Sequence, residues 1–356
     1  MGDVVDVRSG KDYKHLSEGN IPVYGTGGFM LSVNQALSYD EDAIGIGRKG
    51  TIDKPYILKA PFWTVDTLFY AIPREKVDLN FAFDVFQNID WKKKDESTGV
   101  PSLSKTAINE IDVLVPQYDE QQPLGQFFNR IDNLITLHQR KYDKLTNVKK
   151  SMLEKMFPKN GSNVPEIRFK GFTEAWEQRK AKELFVSTAD KGYPELPVLS
   201  ATQDRGMIRR DENSINIFHD KKNEAGYKRV LPGQFVIHLR SFQGGFAHST
   251  IEGITSPAYT VFGFSEPEKH DSEYWKYVFT SKSFIRRLET VTYGIRDGRS
   301  ISYEEFLTLG FVYPSKAEQK AIARYLDKLS DLITLHQREL EKLKNIKKSC
   351  LENMFV

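Results

Sequence analysis

The feature that most constrains the fold of this chain is an internal repeat. The heptapeptide LITLHQR occurs at residues 134–140 and again at residues 332–338, a separation of 198 residues. The same separation aligns the chain with itself without a gap from Pro116 to the last residue, and upstream it pairs Ser102 with Ser300. A match of this length indicates a duplication, so the chain is expected to contain two copies of one unit.

Two stretches between the repeated parts, residues 1–97 and 181–295, look largely unrelated to each other. A duplicated frame therefore holds two diverged inserts, and the inserts are where the choice of binding partner can differ. The length of 356 residues fits this organisation, because one domain usually spans about 100 to 200 residues. Hydrophobic residues at 39% and charged residues at 28% are typical of a folded globular protein.

Each repeated tail is predicted to form one long helix. From Glu120 to Met156 the sequence has one proline, Pro123, and one glycine, Gly125, both near the start. Seam residues then follow at alternating spacings of three and four, which is the pattern of a coiled coil. About 36 helical residues at 1.5 Å each give a rod of roughly 54 Å. The predicted seam residues of the two helices are Ile131, Ile135, His138, Leu145, Met152, Leu329, Ile333, His336, Leu343 and Met354.

The connection between the copies predicts how the helices pair. Residues 158–163 span at most about 20 Å, so the second domain must lie at the far end of the first helix. The second helix can cover the first seam only by running back along it, which gives an antiparallel pair with one domain at each end. His138 and His336 lie near the midpoints of their helices and are expected to meet. We interpret them as structural residues, with a polar pair that sets the helix register as the alternative.

The inserts predict an α/β fold, in the broad sense that includes α+β. Short apolar runs between Gly, Pro and Asn residues predict strands at 21–25, 43–47, 67–71, 234–238 and 259–263, and a helix at 274–288. The predicted organisation is a pseudo-two-fold tandem repeat: a first mixed α/β domain at 1–118, a long helix at 119–157, a linker at 158–163, a second α/β domain at 164–316 and a second long helix at 317–356.

Basic side chains beside glycines suggest contacts with nucleic acid. One predicted strand leads into Arg48, Lys49 and Gly50, and another leads into Arg240 and Gly244. Glycines allow close approach of a backbone, while basic side chains suit phosphates and base edges. A solvated surface charge is the plainer interpretation of any one of them. The candidate DNA-binding residues are Arg48, Lys49, Lys54, Lys92, Lys93, Arg240, Gln243, Arg296 and Arg299.

Catalytic motifs are weak in this sequence. Residues 45–50 match the string GxGxxG, but they lack a clear following helix and a suitably placed acidic residue. Read as a phosphate-binding loop, the string has Thr51 where lysine should stand. The single cysteine, Cys350, forbids an internal disulfide, and the seven histidines lack metal-ligand spacing. We therefore expect neither enzyme activity nor a bound metal or cofactor in this chain.

Charge and hydropathy limit the remaining possibilities. No apolar run approaches the roughly 20 residues that span a bilayer, and the first residues lack the layout of a signal peptide. We therefore expect a cytoplasmic protein without a membrane partner. The net charge of +3 is too small for a protein that coats nucleic acid indiscriminately, although 51 basic residues allow local patches.

Over nearly its whole length the chain resembles the specificity subunits of Type I restriction-modification enzymes. The resemblance rests on the repeated LITLHQR helices, on VPEIRFKGFTEAWEQRK at residues 164–180, and on STGVPSLS at residues 97–104. It implies two target recognition domains that each read one half of a split sequence in double-stranded DNA. The two long helices would then set the unread gap between the halves, much as dimer spacing does in other DNA-binding proteins.

The resemblance also implies partners. Two methyltransferase (M) subunits would dock on the helices, and restriction (R) subunits would complete the complex. S-adenosylmethionine, ATP and Mg²⁺ would be bound by those partner subunits, so this chain is expected to be a non-catalytic DNA-recognition subunit. In one respect the chain departs from the family pattern. The second unit begins with residues 164–180, whereas the first begins at Met1 about where such a segment would end, so we expect the first domain to lack its opening segment.

Two other functions stay open at this point. The chain is alternatively a structural adaptor, whose coiled coil assembles other proteins and whose end domains bind peptides. As a third possibility it is an enzyme that acts alone. A two-part DNA site in a binding assay would distinguish the first interpretation from the second, and methylation or cleavage by the purified chain would indicate the third.

Overall fold

The computed structural model describes residues 1–159, 162–202, 204–212, 221–238, 245–291 and 302–354. The chain forms two compact units. Unit 1 consists of Met1–Tyr142 with Leu335–Val356, and unit 2 of Asp143–Thr334. Each unit includes part of both long helices, so the compact units differ from the domains that the sequence delimits.

Unit 1 combines two sheets with helices. Its strands are β1 (Val5–Ser9), β2 (Glu18–Gly25), β3 (Gly28–Val33), β4 (Ala43–Gly47), β5 (Tyr56–Leu58), β6 (Trp63–Thr64) and β7 (Leu68–Pro73). Its helices are α1 (Leu79–Asn88), a 3-10 turn at Trp91–Lys94, α2 (Lys105–Asn109) and the first part of α3 (Tyr118–Lys155). The strands predicted at 21–25, 43–47 and 67–71 fall on β2, β4 and β7.

The main sheet of unit 1 is antiparallel, with strand order β1-β7-β4-β5. On one face Ile44 and Ile46 of β4 pack with Phe81 and Phe86 of α1. On the other face Ala43 joins a second apolar cluster with Leu58 of β5. Because both faces are covered, β4 and β7 are continuously apolar, without the alternation of a half-exposed strand. A second sheet has the order β3-β2-β6.

Unit 2 contains most of the remaining elements, with the last part of the second long helix belonging to unit 1. These are β8 (Glu177–Lys180), α4 (Ala181–Leu184), β9 (Phe185–Thr188), β10 (Leu199–Thr202), β11 (Gly206–Arg209), β12 (Lys228–Val230), β13 (Phe235–Ile237), β14 (Phe246–His248), β15 (Gly253–Thr255), β16 (Thr260–Phe264), α5 (Ser272–Phe279), α6 (Lys282–Val291), α7 (Tyr303–Thr308), β17 (Gly310–Tyr313) and α8 (Lys316–Met354). The strands predicted at 234–238 and 259–263 fall on β13 and β16.

The main sheet of unit 2 repeats that of unit 1. Its order is β14-β13-β16-β9, again antiparallel throughout. In chain order β9, β13, β14 and β16 therefore correspond to β1, β4, β5 and β7. An aromatic core covers this sheet, with Phe235 of β13 and Phe279 of α5 at a ring separation of 4.9 Å. The inserts thus share one sheet topology although their sequences look unrelated, so the duplication extends into them.

The prediction of a single helix at 274–288 is wrong, because the structure has two helices there. Helix α5 ends at Phe279 and α6 starts at Lys282. Between them, the hydroxyl of Ser281 accepts a hydrogen bond from the backbone N–H of Phe284 at 3.2 Å. A serine that bonds a free N–H three residues later begins a new helix, and this local bond outweighs the continuous apolar pattern.

A buried glutamine attaches α3 to the rest of unit 1. The Gln121 side chain is 2% exposed. Its Oε1 accepts from the backbone N–H of Asp78 at 2.9 Å, and its Nε2 donates to the carbonyl of Pro116 at 2.9 Å. Asp78 is the N-cap of α1, where its carboxylate accepts from the N–H of Phe81. One amide therefore joins the start of the long helix to the start of the domain helix.

Unit 2 has the same attachment 198 residues later. Gln319 is fully buried; it accepts from the N–H of Asp271 at 2.9 Å and donates to the carbonyl of Pro314 at 2.8 Å. Asp271 is the N-cap of α5. The glutamine that recurs at this separation thus has the same structural role in both copies.

The long helices pair in antiparallel fashion, as predicted. In unit 1, Nδ1 of His138 lies 3.1 Å from Nδ1 of His336, which confirms the expected meeting of these residues. Six residues earlier on α3, Asp132 contacts Lys347, which lies later on α8. In unit 2, Met152 of α3 packs on the core that contains Leu326 of α8. Earlier residues of one helix therefore meet later residues of the other.

The predicted seam residues differ in burial. Ile131 and Leu329 are buried, whereas seven others are half-buried: Ile135, His138, Leu145, Met152, Ile333, His336 and Leu343. Met354 is 45% exposed, so the seam position predicted there is wrong. Leu351, one turn earlier, is 9% exposed and faces a pocket shared with Ile135 of α3 and Gln87 of α1. Contact with α1, which the heptad pattern ignores, decides which residue of the last turn is buried.

Two equivalent lysines of the long helices, Lys347 and Lys149, reach domain helices. In unit 1, the ammonium of Lys347 lies 2.5 Å from Asp132 and 2.5 Å from the amide oxygen of Gln87 on α1. Burial raises the pKa of the neighbouring Asp84 to about 8, against the opposing effect of Lys347. In unit 2, the equivalent Lys149 lies over the ring of Tyr277 on α5, 5.9 Å from its centre. Each lysine thus links the helix pair to its domain.

Replacing Gln121 with Ala should destabilise unit 1 by about 1 to 3 kcal/mol, because it leaves the half-buried N–H of Asp78 without an acceptor. Urea unfolding followed by circular dichroism measures the change. The neighbouring Gln122 is exposed, so Gln122→Ala is the matched control, with an expected change below about 0.5 kcal/mol. Equal effects of the two substitutions would contradict the attachment role.

The histidine pair should make the helix pairing sensitive to acid. Burial, followed by the charges of His138 and Lys141, lowers the pKa of His336. The folded chain therefore favours neutral His336, and the unfolded chain binds the proton first as pH falls below about 6.5. Stability from this pair is present above that pH and is lost below it.

His336→Gln should consequently show a smaller loss of urea stability between pH 7.5 and pH 5.5 than the unsubstituted chain. Comparison with the unsubstituted chain cancels the contributions of buried His248 and His270, whose pKa values burial also lowers. The exposed His15 provides the control substitution, His15→Gln. Parallel pH profiles for His336→Gln and the unsubstituted chain would disprove the coupling.

Candidate nucleic-acid interface

The loop that follows β4 holds the first group of predicted DNA-binding residues. The backbone N–H of Arg48 donates to the carbonyl of Thr67 at 2.8 Å, and the carbonyl of Arg48 accepts from Leu103 at 2.9 Å. Gly50 N–H donates to the carbonyl of Pro101 at 2.8 Å. The loop backbone is therefore fixed on two sides, whereas the side chains of Arg48 and Lys49 are exposed. A fixed backbone with exposed basic side chains suits recognition of a polyanion.

The glycines of this loop serve the turn itself. A Cβ at Gly47 would lie 1.9 Å from the carbonyl oxygen of Thr51, and Gly50 has a φ of +96°. Both positions therefore require glycine. The chain continues from Gly50 through an extended loop into strand β5, whereas a dinucleotide-binding motif continues into a helix. The GxGxxG string at residues 45–50 thus has a local structural explanation.

A second loop supports the first. The carboxylate of Asp95 accepts from the N–H of Ser97 at 3.0 Å, from the Ser97 hydroxyl at 2.9 Å and from the N–H of Ser102 at 2.9 Å. These bonds, that of Ser102 first, hold the pKa of Asp95 below its usual value. Lys49 forms a backbone bridge to Ser102. The segment STGVPSLS therefore acts as a brace beneath the basic loop.

The structure brings the other candidates of unit 1 to the same place. Lys92 forms an ion pair with Asp53 at 3.0 Å, which connects the 3-10 turn Trp91–Lys94 to the β4–β5 loop. The side chains of Lys92 and Lys93 are 76% and 83% exposed, and Lys54 is also exposed. Trp91 is buried and donates to the carbonyl of Phe86 at 2.7 Å, which fixes this turn on the domain. Lys92 thus lies beside the loop of Arg48, Lys49 and Lys54, and Lys93, next to it in the turn, pairs with Asp90 at 3.1 Å.

The candidates of unit 2, Arg240, Gln243, Arg296 and Arg299, lie outside the described residues. The chain positions of two of them are nevertheless informative. In the sequence Arg240 and Gln243 stand between β13 and β14, and Arg48 stands between β4 and β5. Strands β13 and β14 correspond to β4 and β5 in the repeated sheet.

Beside this surface lies a hairpin that the sequence did not predict. Strands β2 and β3 meet at a tip where Gly28 has a φ of +104°, and Phe29 and Met30 beyond it are 64% and 49% exposed. The hydroxyl of Tyr56, at the start of β5, donates to the carbonyl of Gly25 at 2.6 Å and so fixes the hairpin near the basic loop. Exposed apolar side chains beside basic ones suit contact with base faces. The glycine-rich string GTGGFM was the available signal.

The described residues give less support to a metal site or a membrane-spanning helix. Among the described residues, no three His, Cys, Asp or Glu side chains come together as a metal site would require. Over the same residues, no helix has the length and apolarity needed to cross a membrane.

Comparison with known proteins identifies this architecture. Residues 1–147 match the model of the family described as the Type I restriction modification DNA specificity domain. The Type I restriction enzyme MjaVIII specificity subunit of Methanocaldococcus jannaschii is 26% identical over 282 residues, which cover 73% of this chain and 65% of that protein. The chain therefore spans less than two thirds of the length of this relative.

A solved structure has the same fold. The S subunit of the Type I restriction-modification system from M. genitalium superposes with a TM-score of 0.66 at 11% identity, over 100% of this chain and 94% of that one. The two α/β units on antiparallel helices therefore have the fold of a restriction-modification S subunit. The chain is thus similar to Type I restriction-modification specificity subunits in sequence and, over its whole length, in fold.

Asp95→Ala should loosen the brace without unfolding the unit, because it removes three hydrogen bonds at a solvent-accessible loop. Hydrogen exchange at the amides of Ser97 and Ser102 should become faster, while exchange in β4 and β7 stays slow. The adjacent exposed Glu96 offers the control substitution, Glu96→Ala. Unchanged exchange at both serines would show that Asp95 does not hold the loop.

Proposed function

We propose that this chain is the DNA sequence-specificity subunit of a Type I restriction-modification complex, in which each unit reads one half of a two-part site in double-stranded DNA. The observation that carries the proposal is the repeated sheet with different loops at equivalent positions. In each unit the sequence after the same strand contains a basic residue and a glycine, Arg48 and Gly50 in one and Arg240 and Gly244 in the other. Equivalent supports with different loops allow two different sequences to be read.

The residue types suggest a division of work within the interface. An arginine donates two parallel hydrogen bonds to O6 and N7 of guanine, so Arg48 and Arg240 are the proposed base-reading residues, with Gln243 as a reader of adenine. Lys49, Lys54, Lys92 and Lys93 are proposed to contact phosphates, together with Arg296 and Arg299. Asp53 then has a second role, because DNA must displace it from Lys92. Phe29 at the hairpin tip adds an apolar contact to the bases.

The helices offer a surface for partner subunits. In unit 1, Leu137 of α3 is 45% exposed, and its repeat equivalent Leu335 of α8 is 51% exposed. Leu134 is 44% exposed on the same helix as Leu137. Repeated exposed leucines suit two copies of the same partner, since an equivalent patch recurs in the repeat. We assign this surface to two methyltransferase (M) subunits, with restriction (R) subunits joining the assembly.

Catalysis belongs to those partners in this proposal. S-adenosylmethionine, ATP and Mg²⁺ are bound by the M and R subunits, and this chain contributes recognition without a reaction of its own. The complex acts in the cytoplasm, where its DNA target lies.

Selection from random DNA duplexes tests the proposal. The chain assembled with its methyltransferase should enrich a two-part motif with a fixed gap. Arg48→Ala should relax base preference in one half only, with a loss of about 1 to 3 kcal/mol at the affected base. Lys93→Ala should instead weaken binding to all sequences and reduce the salt dependence by about one phosphate contact. Lys59, at the opposite end of β5 from the basic loop, provides the control Lys59→Ala.

The other outcomes assign different functions. Absence of any enriched motif would favour the structural adaptor. Methylation or cleavage by the purified chain alone would indicate an enzyme. Equal loss on all sequences for Arg48→Ala would restrict that residue to phosphate contact.

A further inference from the structure

One surface of unit 1 has an occupied counterpart in unit 2. Residues 112–115 of unit 1 correspond to strand β17, Gly310–Tyr313, through the separation of 198 residues. The buried residues just before these segments agree with the correspondence, because Ile108 and Phe306 are both fully buried. The two segments therefore occupy equivalent positions in the two units, although only residues 310–313 form a strand.

In unit 2 this element is covered by residues 164–180. Strand β8 pairs antiparallel with β17, with Lys180 opposite Gly310 and Glu177 opposite Tyr313. Just before β8, Trp176 is 3% exposed and belongs to the aromatic core. The opening segment thus contributes both a strand and a buried ring.

An ion pair fixes the same segment to the long helix. The Arg168 guanidinium donates two hydrogen bonds to the carboxylate of Glu318, both at 2.7 Å. Glu318 is 1% exposed, and the Arg168 side chain is 14% exposed. A two-point bond between planar groups defines orientation as well as affinity.

In unit 1 the equivalent groups face solvent. Leu114 is 77% exposed and Val115 is 39% exposed, whereas Tyr313, the counterpart of Val115, is 6% exposed. Glu120, the counterpart of Glu318, is exposed as well. A groove of about 390 Å³ lined by Val85 and Ile111 adjoins Leu114. The apolar edge and the carboxylate are therefore both accessible.

We propose that residues 112–115 and Glu120 form a docking site for a polypeptide segment with the residue pattern of residues 164–180. The docked segment adds an antiparallel strand to residues 112–115, and its arginine pairs with the carboxylate of Glu120. Strand addition supplies main-chain hydrogen bonds, while the arginine and the side chains on alternate positions provide specificity. The site is independent of the DNA-reading loops, so it stands or falls separately from the proposed function.

A peptide with the sequence of residues 164–180, labelled with fluorescein, tests the proposal on the full chain. Fluorescence anisotropy should show saturable binding, and hydrogen exchange should slow at residues 112–115 when the peptide is bound. Glu120→Gln should weaken binding about tenfold or more, because it removes a charge-assisted pair of hydrogen bonds. The exposed Glu110 gives the matched control, and Glu110→Gln should bind normally.

Two altered peptides separate strand addition from charge attraction. A peptide carrying Arg168→Ala should bind as weakly to the unsubstituted chain as the original peptide binds to Glu120→Gln. A peptide carrying both Gln178→Pro and Arg179→Pro should fail to bind, because proline removes the N–H groups and the extended pairing. Absence of saturable binding up to about 1 mM (weaker than about 4 kcal/mol) would overturn the proposal. Binding that ignores these substitutions, or protection confined to residues 310–313, would overturn it as well.

Discussion

The buried amide at the start of each long helix is the constraint on which both units depend. Gln121 and Gln319 each connect the first turn of a long helix to the N-cap of a domain helix, and each is almost fully buried. A buried amide that lost either partner would leave a polar group without compensation, so only one docking of helix on domain satisfies it. The main sheet packs on that domain helix, and the basic loop extends from the sheet. The position of the basic loop therefore depends on how one glutamine, Gln121, docks the long helix on the domain helix.

The duplication preserves this geometry while its chemistry changes. Six residues after the capping aspartate, unit 1 has Asp84 and unit 2 has Tyr277. The seam lysine facing that position is Lys347 in one unit and Lys149 in the other. Unit 1 balances its lysine with the carboxylate of Asp132, and unit 2 places its lysine over an aromatic ring. Both solutions compensate a partly buried ammonium, by ion pairing or by the ring's negative face, so the same helix contacts survive different side chains.

The division between frame and loops also fits a specificity subunit. Backbone hydrogen bonds to Thr67, Pro101 and Leu103 fix the basic loop of unit 1, so its side chains can change without altering the loop's support. Recognition by a few side chains on a rigid support allows a new base preference to arise by substitution within the loop. The long helices, by contrast, keep the heptapeptide LITLHQR unchanged at residues 134–140 and 332–338. The exposed carboxylate of Glu120 shows where this symmetry ends, since its counterpart Glu318 is paired and buried.

The sequence by itself determined the frame: its repeat and its heptad spacing predicted two long helices, their antiparallel pairing and the contact of His138 with His336. These features follow from local periodicity and chain length, which a sequence displays directly. It also predicted basic residues after β4, Arg48 and Lys49, because strand ends and glycines are local signals, and their contact with DNA stays a prediction. Only the tertiary structure revealed that the two inserts have the same sheet topology, because strand order depends on pairing between distant residues. Contacts between distant residues also decide the burial of Leu351 in place of Met354 and the position of the hairpin with Phe29. The helix break at Ser281 has a different cause, a local side-chain bond that the apolar pattern does not show.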